Sequence, residues 1–222
     1  MQIAIDGPSG AGKSSVAKAV AQKMGIIYVD TGALYRTIGY YAKGQGIALY
    51  EIESVVNHLP NINIEMKYVD GEQVVYLNGV NLGDLIRQPE ISMYASAVSA
   101  VPKVREFLLN TQRDIAESNS VIMDGRDIGT VILPNADVKI FLTASLENRA
   151  QRRYDELSSK GILVNFDDVM REMKERDAND SGRSVAPAVA AEDAIVLDNT
   201  GFTVEQSANA VMEIIKGKLG NI

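Results

Sequence analysis

Gly7-Pro8-Ser9-Gly10-Ala11-Gly12-Lys13-Ser14 places three glycines, a lysine and a hydroxyl in the order that a phosphate-binding loop needs. Gly7, Gly10 and Gly12 let backbone N–H groups wrap an anion. The helix that follows adds the positive end of its dipole, Lys13 reaches the outer phosphates, and Ser14 offers oxygen to Mg²⁺. The apolar strand candidate Gln2 to Asp6 precedes the loop and the helix candidate Lys13 to Met24 follows it, which is the context the chemistry requires. A Gly-rich turn that caps a helix and binds nothing is the alternative, and the strand before and the helix after count against it. The pattern points to a nucleoside triphosphate.

A second constellation is Asp124-Gly125-Arg126-Asp127, after the strand residues Val121-Ile122-Met123. A carboxylate at a buried strand end beside a phosphate loop can hold Mg²⁺, usually through water. Arg126 would face the same crevice. An Asp-Gly pair alone is an ordinary turn, so this reading depends on the strand sharing a sheet with the loop.

Arginine spacing is the third signal. Arg149, Arg152 and Arg153 stand at i, i+3 and i+4 and would line one helix face, and Arg176, Asp180 and Arg183, at i, i+4 and i+7, would line a second if that stretch stays helical. Six of the eleven arginines fall between Arg149 and Arg183, although the net charge is −7. A solvated face paired with Glu147, Asp155, Glu156 and Glu172 is the structural alternative. The functional one is phosphate recognition, which suits the bidentate fork of arginine. His58, the sole histidine, precedes Leu59-Pro60 at a helix end and reads as a surface residue.

Elements that could hold these residues are legible. Gln2 to Asp6, Ile26 to Asp30, Ser120 to Asp124, Val138 to Thr143 and Ala194 to Asp198 read as strands. Helical periodicity covers Lys13 to Met24, Gly32 to Lys43, Lys103 to Glu117, Leu146 to Ser159, Phe166 to Asp177 and Thr203 to Lys216. Strands alternating with helices imply an α/β fold of three layers around a central parallel five-stranded sheet. Asp6, Asp30 and Asp124 occupy strand carboxyl ends, where ligands gather in such sheets.

Asn61 to Leu82 breaks the rhythm with alternating polarity and two hairpin signals, Asp70-Gly71 and Asn78-Gly79. It reads as a small antiparallel β insert, bracketed by Pro60 and Pro89. At 222 residues the chain fits one large domain, residues 1–222, with this insert at about 60–89 and an Arg-rich region at about 149–183.

Composition agrees with an ordinary globular protein, at 46% hydrophobic and 23% charged residues. The acidic balance argues against a general nucleic-acid surface. No cysteine is present, which excludes disulfides and thiolate metal sites and suits a reducing compartment. No apolar run reaches the length of a membrane span, and the chain enters its first strand without a leader-like segment, so a cytoplasmic location is expected.

Together the motifs resemble the nucleoside monophosphate kinases, and within them the bacterial cytidylate kinases. The resemblance rests on Gly7 to Lys13, Asp30-Thr31-Gly32-Ala33-Leu34-Tyr35-Arg36, Pro102-Lys103-Val104-Arg105, Asp124-Gly125-Arg126-Asp127-Ile128-Gly129-Thr130, Lys174-Glu175-Arg176-Asp177 and Arg183-Ser184-Val185-Ala186-Pro187. These span nearly the whole chain in the family's order. Thr31 stands where some members carry serine and keeps the hydroxyl. The resemblance implies a P-loop kinase with a monophosphate-binding insert and a helical lid, transferring phosphoryl from ATP to CMP and dCMP, with Mg²⁺, as a monomer.

It also implies roles. Gly7, Pro8, Ser9, Gly10, Ala11, Gly12, Lys13, Ser14 and Ser15 would bind ATP, with Ser14 and Asp124 toward the metal. Lys13, Arg126, Arg149 and Arg153 would be catalytic. CMP would meet Thr31, Arg36, Ser96, Arg105, Arg126, Asp127, Arg176, Asp180 and Arg183, with Ser96, Arg105 and Asp127 at the base. Read from the residues alone, another P-loop small-molecule kinase, a GTPase or a non-catalytic nucleotide-regulated module stays open, although no Asn-Lys-x-Asp guanine-reading motif is present.

Overall fold

The computed structural model describes residues 1–69 and 72–220. In chain order the elements are β1 (Gln2–Asp6), α1 (Lys13–Met24), β2 (Ile27–Asp30), α2 (Thr31–Gly44), β3 (Ile64–Val69), β4 (Glu72–Leu77), β5 (Val80–Asn81), α3 (Pro89–Ser99), α4 (Pro102–Ser118), β6 (Val121–Asp124), β7 (Val138–Thr143), α5 (Leu146–Ser159), α6 (Phe166–Gly182), β8 (Ile195–Asp198) and α7 (Val204–Leu219). Tight 3-10 turns occupy Leu49–Asn61 and Gly83–Arg87, and a wide π turn occupies Ile128–Ile132. The chain forms two compact units, one of residues 1–28 with 119–222 and one of residues 29–118.

The first unit is built on the parallel five-stranded sheet expected from the alternation of strands and helices, in the order β2-β6-β1-β7-β8. β1 is central. The chain's next two strands after the excursion, β6 and β7, flank it on opposite sides, so the direction of winding reverses at the carboxyl end of β1 and opens a crevice there. The phosphate-loop sequence begins at that point. Ile3, Ile5, Ile122, Val138, Ile140 and Leu142 fill one core with Val16, Ala17 and Val20 of α1 and Ala208, Val211 and Ile215 of α7. Each large aliphatic side chain buried there contributes roughly 1.5–3 kcal/mol.

α1 begins at Gly12 with φ 85° and no side-chain cap, so its first N–H groups are presented to the loop rather than closed off. It ends at Gly25 in the left-handed region. α7 starts with a capping box, Thr203 and Gln206 bonding each other's backbone. α5 and α6 pack on each other around Ala150, Leu157, Val169 and Met173, with Tyr154 edge-on to Phe166. α6 runs on beyond Asp177 to Gly182, so Arg176 and Asp180 do share a helix and Arg183 caps it.

In the second unit β3, β4 and β5 form the antiparallel insert, with Ile64 opposite Leu77 and Tyr76 opposite Asn81. Asn78 and Gly79, with φ 50° and 80°, make the expected tight turn. The other hairpin signal, Asp70-Gly71, lies outside the described residues. Leu34 and Ile38 of α2, Val98 of α3 and Val104 and Leu108 of α4 make the core of this unit with Val55, Val75 and Leu77. α3 has no counterpart in the periodicity reading. It starts with Pro89 at its first position, and its buried Ala95 and Val98 join the core that α2 lines. No described helix is long and apolar enough to cross a membrane.

Candidate active site

Conformation and close packing both require glycine in the loop. Gly7 has φ 146°, and a Cβ there would lie 2.0 Å from the Leu142 carbonyl oxygen. Gly10 has φ 74°, and a Cβ there would lie 2.6 Å from Met173 Cε of α6. Any side chain at position 7 would displace the β7 backbone, whereas at position 10 the left-handed φ is the constraint and the flexible end of Met173 could give way.

Carbonyl groups of the loop are gripped by cations. Lys13 Nζ donates to Pro8 O at 2.8 Å, Arg149 Nη1 to Ser9 O at 2.9 Å and Arg152 Nη1 to Ala11 O at 3.2 Å. Arg149 also donates to Ala144 O at 2.9 Å and to Asp177 Oδ2 at 2.6 Å, which ties α5 to α6 across the loop. Arg152 is set by Asn199, whose carbonyl it meets at 2.9 Å and whose own amide donates to Ala11 O at 3.0 Å. Arg153 points elsewhere and pairs with Glu156 at 2.7 Å on the same helix. Pro8 and Ser9 lie on the partly covered side of the loop, while Ser14 and Ser15 open to solvent.

At the end of β6, Asp124 is buried and accepts from two hydroxyls, Ser14 Oγ at 2.9 Å and Tyr28 Oη at 2.8 Å. Parallel pairing of β1 with β6 brings this about, because it sets the two strand ends side by side. A hydroxyl and a carboxylate from different elements converge there, which is the hard-oxygen donor set that fits Mg²⁺ completed by water and phosphate. Among the described residues no group of three or more His, Cys, Asp or Glu could hold a metal.

Beyond β6, Arg126 Nε donates to Asp180 Oδ2 at 2.9 Å, and Arg183 approaches the other oxygen at 4.0 Å. Burial disfavours the charge on Asp180, but Arg126, Arg176 and Arg183 outweigh it and hold the carboxyl below its ordinary range. Asp127 is buried. Lys13 is pushed well below its ordinary value by burial and by the neighbouring Arg126 and Arg176, against the pull of Asp124 and Asp6. Like charges therefore crowd around Lys13.

The remaining predicted residues lie in the second unit. Thr31 opens α2 and is buried, behind Asp30, whose Oδ1 caps the helix on Ala33 N at 3.0 Å. Asp30 Oδ2 holds Arg36 at 2.6 Å, and Arg36 Nε is buried without a hydrogen-bond partner among the described residues. Arg105 donates to Ser99 O at 3.1 Å and lies over the Tyr35 ring. Ser96 sits on α3, half-buried. His58 lies edge-on to Tyr41.

Three contributors escaped the sequence reading, Tyr28, Asn199 and Gln73, while Arg152 was read as a member of the arginine cluster without a role of its own. Gln73 of β4 accepts from Asp30 N at 2.8 Å and donates to Asp30 O at 3.2 Å, so the antiparallel insert clamps the residue that holds Arg36. None of the three carried a signal in the sequence.

A loop, a strand-end carboxylate and crowded cations around one crevice have the chemistry to hold phosphate groups, without saying which reaction or acceptor they would serve. Comparison with known sequences decides that. The family described as cytidylate kinase matches residues 3–217. The chain belongs to the cytidylate kinase family. Cytidylate kinase of Caldicellulosiruptor saccharolyticus is 48% identical over 100% of this chain and 98% of its own. The enzymes of Ligilactobacillus salivarius, at 47% over 97% of this chain and 96% of its own, and of a Geobacillus species, at 43% over 99% and 98%, agree. A solved structure of an uncharacterized protein from Eubacterium ventriosum aligns over 97% of this chain and 98% of its own with TM-score 0.53 and 14% identity, which speaks for the fold. The chain is thus a kinase of the nucleoside monophosphate class.

Proposed function

We propose that this chain carries out ATP-dependent phosphorylation of CMP with the residues described above, that dCMP serves as well, and that Mg²⁺ accompanies ATP. The observation that carries the reading is the cluster of Lys13, Arg126 and Arg176, cations close enough to depress Lys13, which a polyanion would neutralise. Ser14 and Asp124 would hold Mg²⁺, which would neutralise phosphate charge when bound.

A phosphate oxygen of CMP forms the new bond to the γ-phosphorus, the bond from that phosphorus to the β,γ-bridging oxygen breaks, and ADP leaves with the electron pair. The attacking oxygen is already anionic, so no general base is required. Catalysis falls to positioning and to charge stabilisation. The donor phosphates are assigned to the backbone of Gly7 to Ser15, to Lys13 and to Arg149 and Arg153. Arg36, Arg126 and Arg183 are assigned to the acceptor phosphate, Thr31, Arg176 and Asp180 to the sugar and neighbouring groups.

Cytosine presents an amino donor beside two acceptors, which suits Asp127 as acceptor with Arg105 and Ser96 completing the reading. Base and phosphate contacts are common to CMP and dCMP, which supports both as substrates. A cysteine-free, acidic chain drawing on ATP and CMP fits a monomer in the cytoplasmic nucleotide pool, with no nucleic-acid or membrane partner. Residues 60–89 are proposed as the monophosphate-binding insert, and residues 149–183 as a lid, within a single kinase domain.

The test is ADP formation from ATP and Mg²⁺ with CMP, dCMP, UMP, AMP and GMP in turn, for the wild type and for Lys13→Ala. CMP and dCMP are expected to be preferred strongly. Lys13→Ala should retain its thermal unfolding transition and lose turnover by several orders of magnitude, because a charge facing the transferred group is worth several kcal/mol. Near-normal turnover in the variant would remove Lys13 from the mechanism.

A further inference from the structure

Asp6, the last residue of β1, has no part in the phosphate-loop motif and no role assigned above. It is buried, and both of its carboxylate oxygens are engaged by backbone: Ile128 N donates to Oδ1 at 2.7 Å and Gly129 N to Oδ2 at 2.7 Å. These are the first amides of the π turn that follows Arg126-Asp127, amides that the turn itself leaves without an internal partner. The preceding residue joins in, since Gly125 N donates to Ile5 O at 3.0 Å. The end of β1 therefore grips the Asp124 to Gly129 segment on either side of Arg126 and Asp127.

The approach is close on every side. A Cβ on Gly129 would lie 3.3 Å from Asp6 Oδ2 and 3.1 Å from Lys139 Cδ, so a side chain there would press on the carboxylate and on Lys139. Ile128 is fully buried beside it. Asp127 opposes the charge on Asp6 and Lys13 favours it, while burial dominates and raises its pKa to about 6. A carboxylate kept in so unfavourable a place, bonded symmetrically to two donors, fixes a backbone.

We infer that Asp6 is a positioning residue for base recognition: by holding the Ile128 and Gly129 amides, it sets the angle at which Asp127 meets cytosine. The inference rests on the base-reading role proposed for Asp127. An amide at position 6 keeps the volume but turns one oxygen into an NH₂ group that faces a backbone N–H, two donors against each other, so the segment must shift.

The experiment is steady-state kinetics of wild type, Asp6→Asn and Asp127→Asn with CMP, UMP and ATP. For Asp6→Asn we expect an ATP KM within about twofold of wild type, a CMP KM raised about tenfold and a narrowed CMP to UMP ratio of kcat/KM, as loss of one well-placed hydrogen bond predicts. Unchanged CMP KM and ratio would overturn the inference, and so would an equal loss toward CMP, UMP and ATP, which marks general loosening. If Asp127→Asn changes the ratio and Asp6→Asn does not, Asp6 fails alone. If Asp127→Asn leaves the ratio unchanged, the base-reading role itself falls and Asp6 with it.

Should Asp6→Asn not fold, the wild type decides. The Ile128 and Gly129 amide resonances are expected to titrate with one midpoint near the pH of about 6 given by the buried carboxyl, and the CMP preference should fall with them on acidification. Amides or a preference that stay flat through that range overturn the inference.

Discussion

Asp6 and Asp180 show two opposite treatments of a buried carboxylate in one unit. Three arginines pull Asp180 below its ordinary range, so its ionised form stabilises the fold at neutral pH and that contribution is lost as pH falls through its lowered pKa. Asp6 has the reverse sign. Its pKa rises from 3.8 to about 6, so folding favours the protonated form, and the contribution is fully present below pH 3.8 and lost as pH rises through 6. The shift corresponds to roughly 3 kcal/mol. Asp6→Asn removes the titration, so its melting temperature minus that of wild type should be larger at pH 7.5 than at pH 4. Thermal unfolding at the two values measures it, and an equal difference at both would show that burial does not govern Asp6.

At the scale of elements, the structure gives the antiparallel insert a task. β4 carries Gln73, whose amide bonds both backbone groups of Asp30, and Asp30 in turn caps α2 and orients Arg36. Gln73→Ala leaves these groups to water and frees Arg36 to reorient. If Arg36 binds the acceptor phosphate, CMP KM should rise by a few-fold to about tenfold, consistent with losing up to about 1.5 kcal/mol, while ATP KM holds. Equal kinetics in Gln73→Ala would leave the insert without a part in acceptor binding. The nearby crossing of α2 and α3 is just as specific, since a Cβ on Gly39 would come within 2.9 Å of Ala95 N.

At the scale of the whole molecule, charge and stability are unevenly distributed. The chain is acidic overall, yet its arginines concentrate in α5 and α6, a pair with a small core of its own around Ala150, Leu157, Val169 and Met173. A pair held by few apolar contacts opens more readily than the sheet it borders. Arg149 and Arg152 spend their donors on loop carbonyls and Asp177, bonds that bound phosphates would compete for. Hydrogen exchange over residues 146–182 should therefore slow when a bisubstrate nucleotide is added, as closure excludes water from the transfer site. Identical exchange with and without the nucleotide would count against a mobile lid.

Period, punctuation and local motif determined much of this protein in advance. Strand and helix patterns are local properties, so β1, β7, α1 and α5 end where their residues say they should. The phosphate loop is one contiguous stretch, and helical spacing put Arg149 and Arg152 on a common side toward it, although Arg153 turned to Glu156 instead. α6 outran its apolar pattern because Asp180 is anchored by Arg126, fifty-four residues away in sequence. Only the tertiary structure decided which two arginines of a cluster meet the loop, that Tyr28 shares Asp124 with Ser14, that Gln73 clamps Asp30, and that Asp6 holds the Ile128 and Gly129 amides across a separation of more than a hundred residues. Those partners are polar groups whose pairing depends on strand order and register, and a hydrogen bond between distant residues leaves no period in the chain that carries it.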